Sequence, residues 1–417
     1  MRLGTAMTPD SFSRPLRPAG VLPECAAGGT FILTTILTTR ACMGLADDGV
    51  HRSSNRRVVR ETGSAMQLLR PLNFLIALHL AAAAAAGTFA SISPAEENVR
   101  IGIINSSTDA SFFIADAEGY FKDEGLHAEF VSFDAAAKML PVLGTGELAA
   151  AGGALSSALY NAVESGVEMK AVADKAHHDP SFGHAALVVR KDLIDSGKFK
   201  SYADLRGLRI ALSGKGTSDE SVLNEALKRG GLKWSAANVI YMSFPQQPAA
   251  FVNGTIDAGI TSEPALTDSL KTGAVVMFAR IGKFYPNQQS ATVIYGVNFL
   301  KGERATAKKF MRAYIRGARF YNDAIVNGVI DGPNAPEVIA ILTKYSLVKD
   351  PEVYRAATPP AINPDGKLDL ASMNKDWQFF KDTGQIDGRV TVDQIVDTSF
   401  VDGALSALGP YRRSKSK

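Results

Sequence analysis

Four short runs rich in serine, threonine and glycine carry most of the polar chemistry this chain can direct at a small molecule: NSSTDA at 105–110, GGALS at 152–156, SGKGTS at 213–218 and TSEP at 261–264. Each follows a β-leaning segment and precedes a helical one. Its hydroxyls therefore sit beside helix-start amides, a pairing suited to carboxylate, sulfonate or phosphate oxygens. The candidate ligand contacts are Ser106, Ser107, Thr108 and Asp109; Gly153 and Ala154; Ser213, Lys215, Gly216, Thr217 and Ser218; and Ser262 and Glu263. The same residue types are the usual helix caps, and Pro264 stands where an N1 proline would, so each run taken singly serves its own helix. Convergence of all four on one cleft is what a binding reading needs. Lys215 lies between Gly214 and Gly216, but the run lacks the eight-residue spacing of a nucleotide-binding P-loop.

Lys175 and His177 complete the candidate set, in a polar stretch read as a loop after a strand at 169–173. His177, His178, Asp179 and His184 suggest a metal by composition. Adjacent residues on an extended chain point to opposite faces, and no His-x-x-x-His corrects that, so no metal and no cofactor are expected. Phe182, Tyr241, Phe244, Phe284 and Tyr285 either stack on an aromatic solute or pack into cores and loops. Catalysis has no Gly-x-Ser-x-Gly elbow and no dinucleotide Gly-x-Gly-x-x-Gly to stand on. Both cysteines, Cys25 and Cys42, precede Met66, which removes thiol nucleophiles, disulfides and zinc-thiolate sites from the main body.

Elements that position these runs can be read from periodicity. Strands are expected at 99–104, 127–133, 148–151 and 169–173, with helices at 111–121, 135–143 and 155–165 between them. A second series has strands at 208–212, 239–242 and 257–260 and helices at 218–229, 248–253 and 264–270. Alternation of this kind gives two α/β lobes on mostly parallel sheets, with solutes bound beyond the carboxyl ends of strands. Apolar extended runs at 184–190 and 291–297 are the expected crossovers, which makes lobe one 97–184 plus 291–417 and lobe two 185–290. Helices at 304–327, 335–345 and 368–383 should pack back on lobe one.

The 417 residues carry 45 Lys plus Arg against 42 Asp plus Glu, and residues 1–65 hold the whole excess, so the rest is neutral and offers no footprint for nucleic acid. Residues 66–90 read as a secretory signal, with Arg70, an alanine-rich apolar run and small residues near a cleavage point at Ala90. A retained membrane anchor is the competing reading. Residues 1–65 are then an extension upstream of the true start, Met66, and neither cysteine follows a lipobox. A twin-arginine signal at Arg56-Arg57 is interrupted by Arg60, Glu61 and Arg70.

The run FIADAEGYFKDEGL from Phe113, then LGTGEL from Leu143, YADLRGLRI from Tyr202, LKRGGL from Leu227 and VNGTIDAG from Val252 resembles the nitrate/sulfonate/taurine-type substrate-binding proteins of ABC importers. The resemblance spans about residues 99–345. It implies a type II periplasmic binding fold, two α/β lobes joined by two crossovers, that closes over a small solute and delivers it to an ABC permease. The helix-start amides with Lys215 and Lys175 nearby point to a small organic anion. A soluble monomer is expected, and the signal reading at 66–90 places it in the periplasm. Rival members of the fold class are a cofactor-free lyase or dehydratase, a pyrimidine vitamin-precursor binder, and the effector lobe of a transcription regulator. The pyrimidine synthases and porphobilinogen-type deaminases rely on cysteines absent from the main body, and residues 1–65 contain no DNA-binding head. In physical terms Gly119 and Gly125 terminate and turn the first helix, so EGYFKDEGL is structural.

Overall fold

The computed structural model describes residues 96–413, so the extension and signal readings for 1–65 and 66–90 fall outside the described residues. Short apolar runs make β1 (Glu97–Ile103), β2 (Leu126–Ser132), β3 (Ala150–Gly153) and β4 (Lys170–His178). The next series is β5 (Ala185–Arg190), β6 (Arg209–Leu212), β7 (Asn238–Tyr241), β8 (Ala258–Ser262), β9 (Val275–Arg280) and β10 (Gln288–Tyr295). One sheet has the order β2-β1-β3-β10-β4 and the other β7-β6-β8-β5-β9. The chain thus leaves the first sheet after β4, builds the whole second sheet, and returns as β10.

The expected crossovers are strands in their own right. β5 lies antiparallel between β8 and β9, and β10 lies antiparallel between β3 and β4. The segments that pass between lobes are the shorter stretches 179–184 and 281–287. A central strand covered on both faces is largely apolar, as β5 and the Ala291–Tyr295 part of β10 are, which is why both runs read as apolar extended segments.

β4 runs to His178 rather than ending near 173 as expected. Its second half, DKAHH, reads as a loop by polarity. It stays in the sheet because β10 pairs with it to Gln288, and because its buried polar side chains find partners, described below. The expected first helix divides at Gly119 (φ 71°) into α1 (Ala110–Ala117) and a single turn, Tyr120–Asp123. Two further helices carry lobe one's loops, α2 (Met139–Thr145) and α3 (Ser157–Glu164). Lobe two has α4 (Ser218–Arg229), α5 (Gln247–Val252) and α6 (Ala265–Lys271).

The C-terminal region supplies α7 (Arg304–Asp323), α8 (Ala335–Tyr345), α9 (Leu370–Asp382) and α10 (Ser399–Leu408). The helix expected to reach 327 stops at Asp323, and residues 325–330 form a two-residue-loop hairpin in which Asn327 and Gly328 take φ of 51° and 77°. Asn-Gly is the preferred sequence for that turn. In α7 the spacing of Phe310, Met311, Tyr314, Ile315, Ala318 and Tyr321 makes one buried face against α1. There Phe112 meets Tyr314 at 5.0 Å and Phe310 at 6.1 Å between ring centres. Each such aromatic side chain contributes about 1.5–3 kcal/mol by burial.

Gly317 lets α7 and α1 approach backbone to backbone, since a Cβ there would run into the carbonyl oxygen of Ser111. Gly317→Ala should therefore destabilise the chain by about 1–3 kcal/mol despite alanine's better helix propensity. Chemical denaturation would check it, and an unchanged or raised midpoint would contradict the close packing. Helices α7 and α8 pack on lobe one, whereas α9 touches both lobes: Phe379 meets Trp234 at 5.1 Å and Lys375 pairs with Glu225. Among the described residues no helix is long and apolar enough to cross a membrane.

Candidate functional site

The loops at the carboxyl ends of β1, β3, β6 and β8 supply the candidate residues, and they group into three clusters. The first surrounds Lys175. Asn105 (φ 55°) turns the chain after β1, and Ser106 caps a single 3-10 turn, Ser107–Asp109, which leads into α1. Asp109 and Ser106 form a capping box. The Asp109 carboxylate accepts hydrogen bonds from the amides of Ile104 (3.2 Å) and Ser106 (3.0 Å). Its other oxygen lies 2.9 Å from Lys175 Nζ, with the lysine side chain 1% exposed and the aspartate 0%. Lys175 also donates to Thr108 Oγ1 at 2.7 Å, and Thr108 Oγ1 lies 2.7 Å from Ser106 Oγ.

Lys175 reaches this position across β3, and Gly152 makes room for it: a Cβ at 152 would collide with the lysine's Cε and Cδ. Gly153 is buried at the end of β3 opposite Thr292, and Ala154 follows it in the loop to α3. Charge in this cluster is balanced internally. The cation that would draw an anion from a distance is offset by Asp109, so the cluster presents hydrogen-bond donors rather than net charge.

The second cluster joins the two lobes directly. Ser156 caps α3 through Leu159 N, and the next amide, Ser157 N, donates across to Gly216 O of lobe two at 2.9 Å. Ser156 and Thr217 also form an isolated bridge. Gly216 has φ 73°, and a Cβ there would meet Ser157 Oγ. On the lobe-two side, Ser213 Oγ donates to Asp219, Thr217 Oγ1 donates to Gly214 O at 2.9 Å, and Ser218 begins α4. Lys215 is exposed and forms no ion pair among the described residues. Glu220, buried, gathers Gly216 N (3.1 Å), Gln385 Nε2 (2.8 Å) and the Tyr241 hydroxyl. Glu220 and Gln385 were not among the sequence candidates; Glu220 occupies a helix position that polarity alone assigns to solvent.

The third cluster is the strand pair that continues β4 and β10 towards lobe two. Asp174, buried, accepts from Asn363 N (2.6 Å) and Gln289 Nε2 (2.5 Å), and its Oδ2 lies 3.2 Å from His177 Nδ1. Burial opposes protonation of His177, but the charge of Asp174 and the hydrogen bond to it prevail, and the pKa lies above the ordinary imidazole value. His178 turns the other way and stacks on His184 at 4.6 Å with the rings 13° from parallel. Burial lowers both, His184 to about 3, so the stacked pair is neutral at physiological pH. Ser262 Oγ and Glu263 N both donate to His184 O, at 3.2 and 2.7 Å. The Glu263 carboxylate turns back to accept from Thr267 N and Oγ1, and burial raises its pKa.

Of the aromatic candidates, Phe284 and Tyr285 are buried in lobe two's core and Phe182 packs against lobe one's, while Phe244 is half-buried and Tyr241 is 43% exposed. Tyr285 instead serves a fourth polar centre that the sequence did not single out. Asp376 on α9 accepts from Tyr285 OH (2.7 Å), Gln288 Nε2 (2.7 Å) and Ser221 Oγ of α4. The arrangement is two lobes whose strand-end loops face each other, with hydroxyl and amide donors on both sides.

Known proteins share this architecture. The solved aliphatic sulphonate binding protein SsuA from Escherichia coli superposes with a TM-score of 0.57 at 19% identity, covering 72% of this chain and 92% of that one. The periplasmic nitrate-binding protein NrtA from Synechocystis PCC 6803 gives 0.59 at 14% identity, over 75% and 89%. An Escherichia coli K12 protein named as binding aliphatic sulfonates is 32% identical over 81 residues, 19% of this chain and 25% of that protein, so the alignment spans only a quarter of that relative. A family model described as NMT1/THI5 like matches residues 107–324, from the first-lobe loop after β1 to the end of α7, and the chain belongs to that NMT1/THI5-like family.

Proposed function

We propose that this chain is the periplasmic solute receptor of an ABC importer, a soluble monomer without cofactor or catalysis that closes its two lobes over a small organic anion and presents the closed form to a membrane permease. The observation that carries the reading is the meeting of Ser157 N with Gly216 O, which brings the start of α3 in one lobe against the loop before α4 in the other. Two strand-end loops held in contact across a cleft are what hinge closure produces, and a solute bound between them stabilises that state. The named binding of sulfonate and nitrate by proteins of like fold supports an oxyanion solute. The Ser106–Thr108 hydroxyl pair and the helix-start amides would hold its oxygens, with Lys175 neutralised by Asp109, so affinity should depend only weakly on ionic strength.

Thermal-shift titration of the purified chain against alkanesulfonates, nitrate, benzoate and a hydroxymethylpyrimidine tests the reading. Saturable stabilisation by one of the anions is expected, since a ligand at a hundred times its Kd adds about 2.7 kcal/mol to stability. Stabilisation by the pyrimidine alone would replace the anion with a neutral solute, and turnover of any hit would make the chain an enzyme.

A further inference from the structure

We propose that Lys175 is a positioning residue for solute selection, acting through Thr108 and Ser106 so that the first lobe recognises an acceptor oxygen by a hydroxyl hydrogen. The proposal rests on the receptor reading above and adds to it which group of lobe one reads the solute and how.

An ammonium group only donates. Lys175 Nζ therefore gives one hydrogen to Thr108 Oγ1, 2.7 Å away, and pairs by charge with Asp109 Oδ1, 2.9 Å away. Thr108 and Ser106 hydroxyls stand 2.7 Å apart, and only one hydrogen can occupy the line between them. The two hydroxyls bring two hydrogens. Whichever residue donates along that line, the other hydroxyl hydrogen has no acceptor among the described residues. Ser106 Oγ already accepts from Thr108 N at 3.3 Å, and Thr108 Oγ1 already accepts from Lys175, so both oxygens are supplied with donors from the protein side. The pair is half-buried at the carboxyl end of β1, where the loop meets the cleft.

Asp109 keeps this arrangement from collapsing. Two backbone amides hold its Oδ2 and its Oδ1 lies 2.9 Å from the Lys175 ammonium, so turning the carboxylate towards the hydroxyl pair would give up those amides and the ion pair. Lysine donating into Thr108 also polarises the chain and strengthens the outward donor. A solute presenting an oxygen acceptor satisfies the spare hydrogen. One presenting only N–H or C–H groups leaves it desolvated and unpaired, and is disfavoured on that account.

The test is isothermal titration of the full chain and three variants with ethanesulfonate, nitrate and benzoate as probes. For the probe that binds the wild type, Thr108→Val should weaken affinity about 10–100-fold. Valine keeps the shape but severs the lysine from Ser106. Thr108→Ser restores the hydroxyl and should recover affinity to within a few-fold, a rescue that a packing role for the threonine methyl would not give. Lys175→Met should weaken binding similarly; circular dichroism and the melting temperature establish that this variant is folded, and the Thr108 pair carries the test should it not be. Thr108→Val binding as tightly as the wild type would overturn this inference alone. Failure of all three probes to bind the wild type would overturn the anion-receptor reading and this inference with it.

Discussion

Asp109→Ala is expected to lower the stability of the chain by about 3–5 kcal/mol at neutral pH, the cost of stranding one member of a buried ion pair. Lys175 and Asp109 are 1% and 0% exposed. Without the carboxylate the ammonium keeps only Thr108 as a partner, and Ile104 N and Ser106 N lose their acceptor as well. Lysine must then either lose its proton or draw water into the end of β1, and both routes are costly. Urea unfolding at pH 7 measures the effect. The exposed pair Lys191–Asp195, with side chains more than half exposed, provides the contrast, because Asp195→Ala should change stability by about 0.5 kcal/mol or less. Replacing both buried partners, Asp109→Asn with Lys175→Met, should recover part of the loss, since removing a pair is far cheaper than breaking one. An Asp109→Ala variant as stable as the wild type would mean that the pair is not buried as described.

Asp376 gives the second large effect, and its sign is opposite to that of an ordinary salt-bridged carboxylate. Burial raises its pKa from 3.8 to about 6, against the opposing hydrogen bonds from Ser221, Tyr285 and Gln288 and the nearby charge of Lys375. A carboxyl whose pKa is higher in the folded chain favours folding while protonated. That stability is fully present below the unfolded value near 4 and is lost as pH rises through about 6. The shift corresponds to about 3 kcal/mol in all, of which about 1–2 kcal/mol falls between pH 5 and 7.5. Asp376→Asn cannot ionise, so its stability relative to wild type should improve by that amount over the same interval. Urea midpoints of both proteins at pH 5, 6 and 7.5 check it, and parallel pH profiles would show that Asp376 is not buried between the lobes. Ser221 and Tyr285 belong to lobe two and its return segment and Gln288 to β10 of the first sheet, so this carboxylate ties α9 to both lobes. Those bonds favour its charged form, and the cost of ionisation comes from burial.

Much of the architecture was legible because parallel strands and their helices leave a strong imprint: apolar runs of four to six residues, glycine at turns, amphipathic spacing in α4 and α7. Both lobes and the insertion of one in the other followed from that. The Asn327-Gly328 hairpin was equally legible as a turn signal and was overridden by the helical spacing before it. The second half of β4 was not legible, since Asp174, Lys175, His177 and His178 read as loop until Gln289, Thr108, Asp109 and Asn363 are known to be their neighbours. These partners lie between 66 and 189 residues away in the chain. The candidate site was legible as four loops but not as a set of partners. Helix-start spacing identifies hydroxyls and amides; it does not reveal that Ser157 N meets Gly216 O, that Lys175 is spent on Asp109, or that Lys215 faces solvent. Asp376, Glu220 and Gln385 were missed for the same reason: each is a polar residue with an ordinary local context, and its role arises from a second lobe.

Closure of two lobes over a solute is the claim on which the functional account turns, and an interlobe distance measures it most directly. Spin labels at Asp134→Cys on the exposed rim of lobe one and Lys215→Cys on the exposed rim of lobe two suit the purpose, in a chain whose native Cys25 and Cys42 are replaced by serine. Pulsed electron resonance should give a broad distribution with a long-distance component in solute-free protein. Addition of the anion that raises the melting temperature should collapse it to a single narrow, shorter distance. A distribution unchanged by a solute that demonstrably binds would contradict hinge closure as the mechanism of this protein.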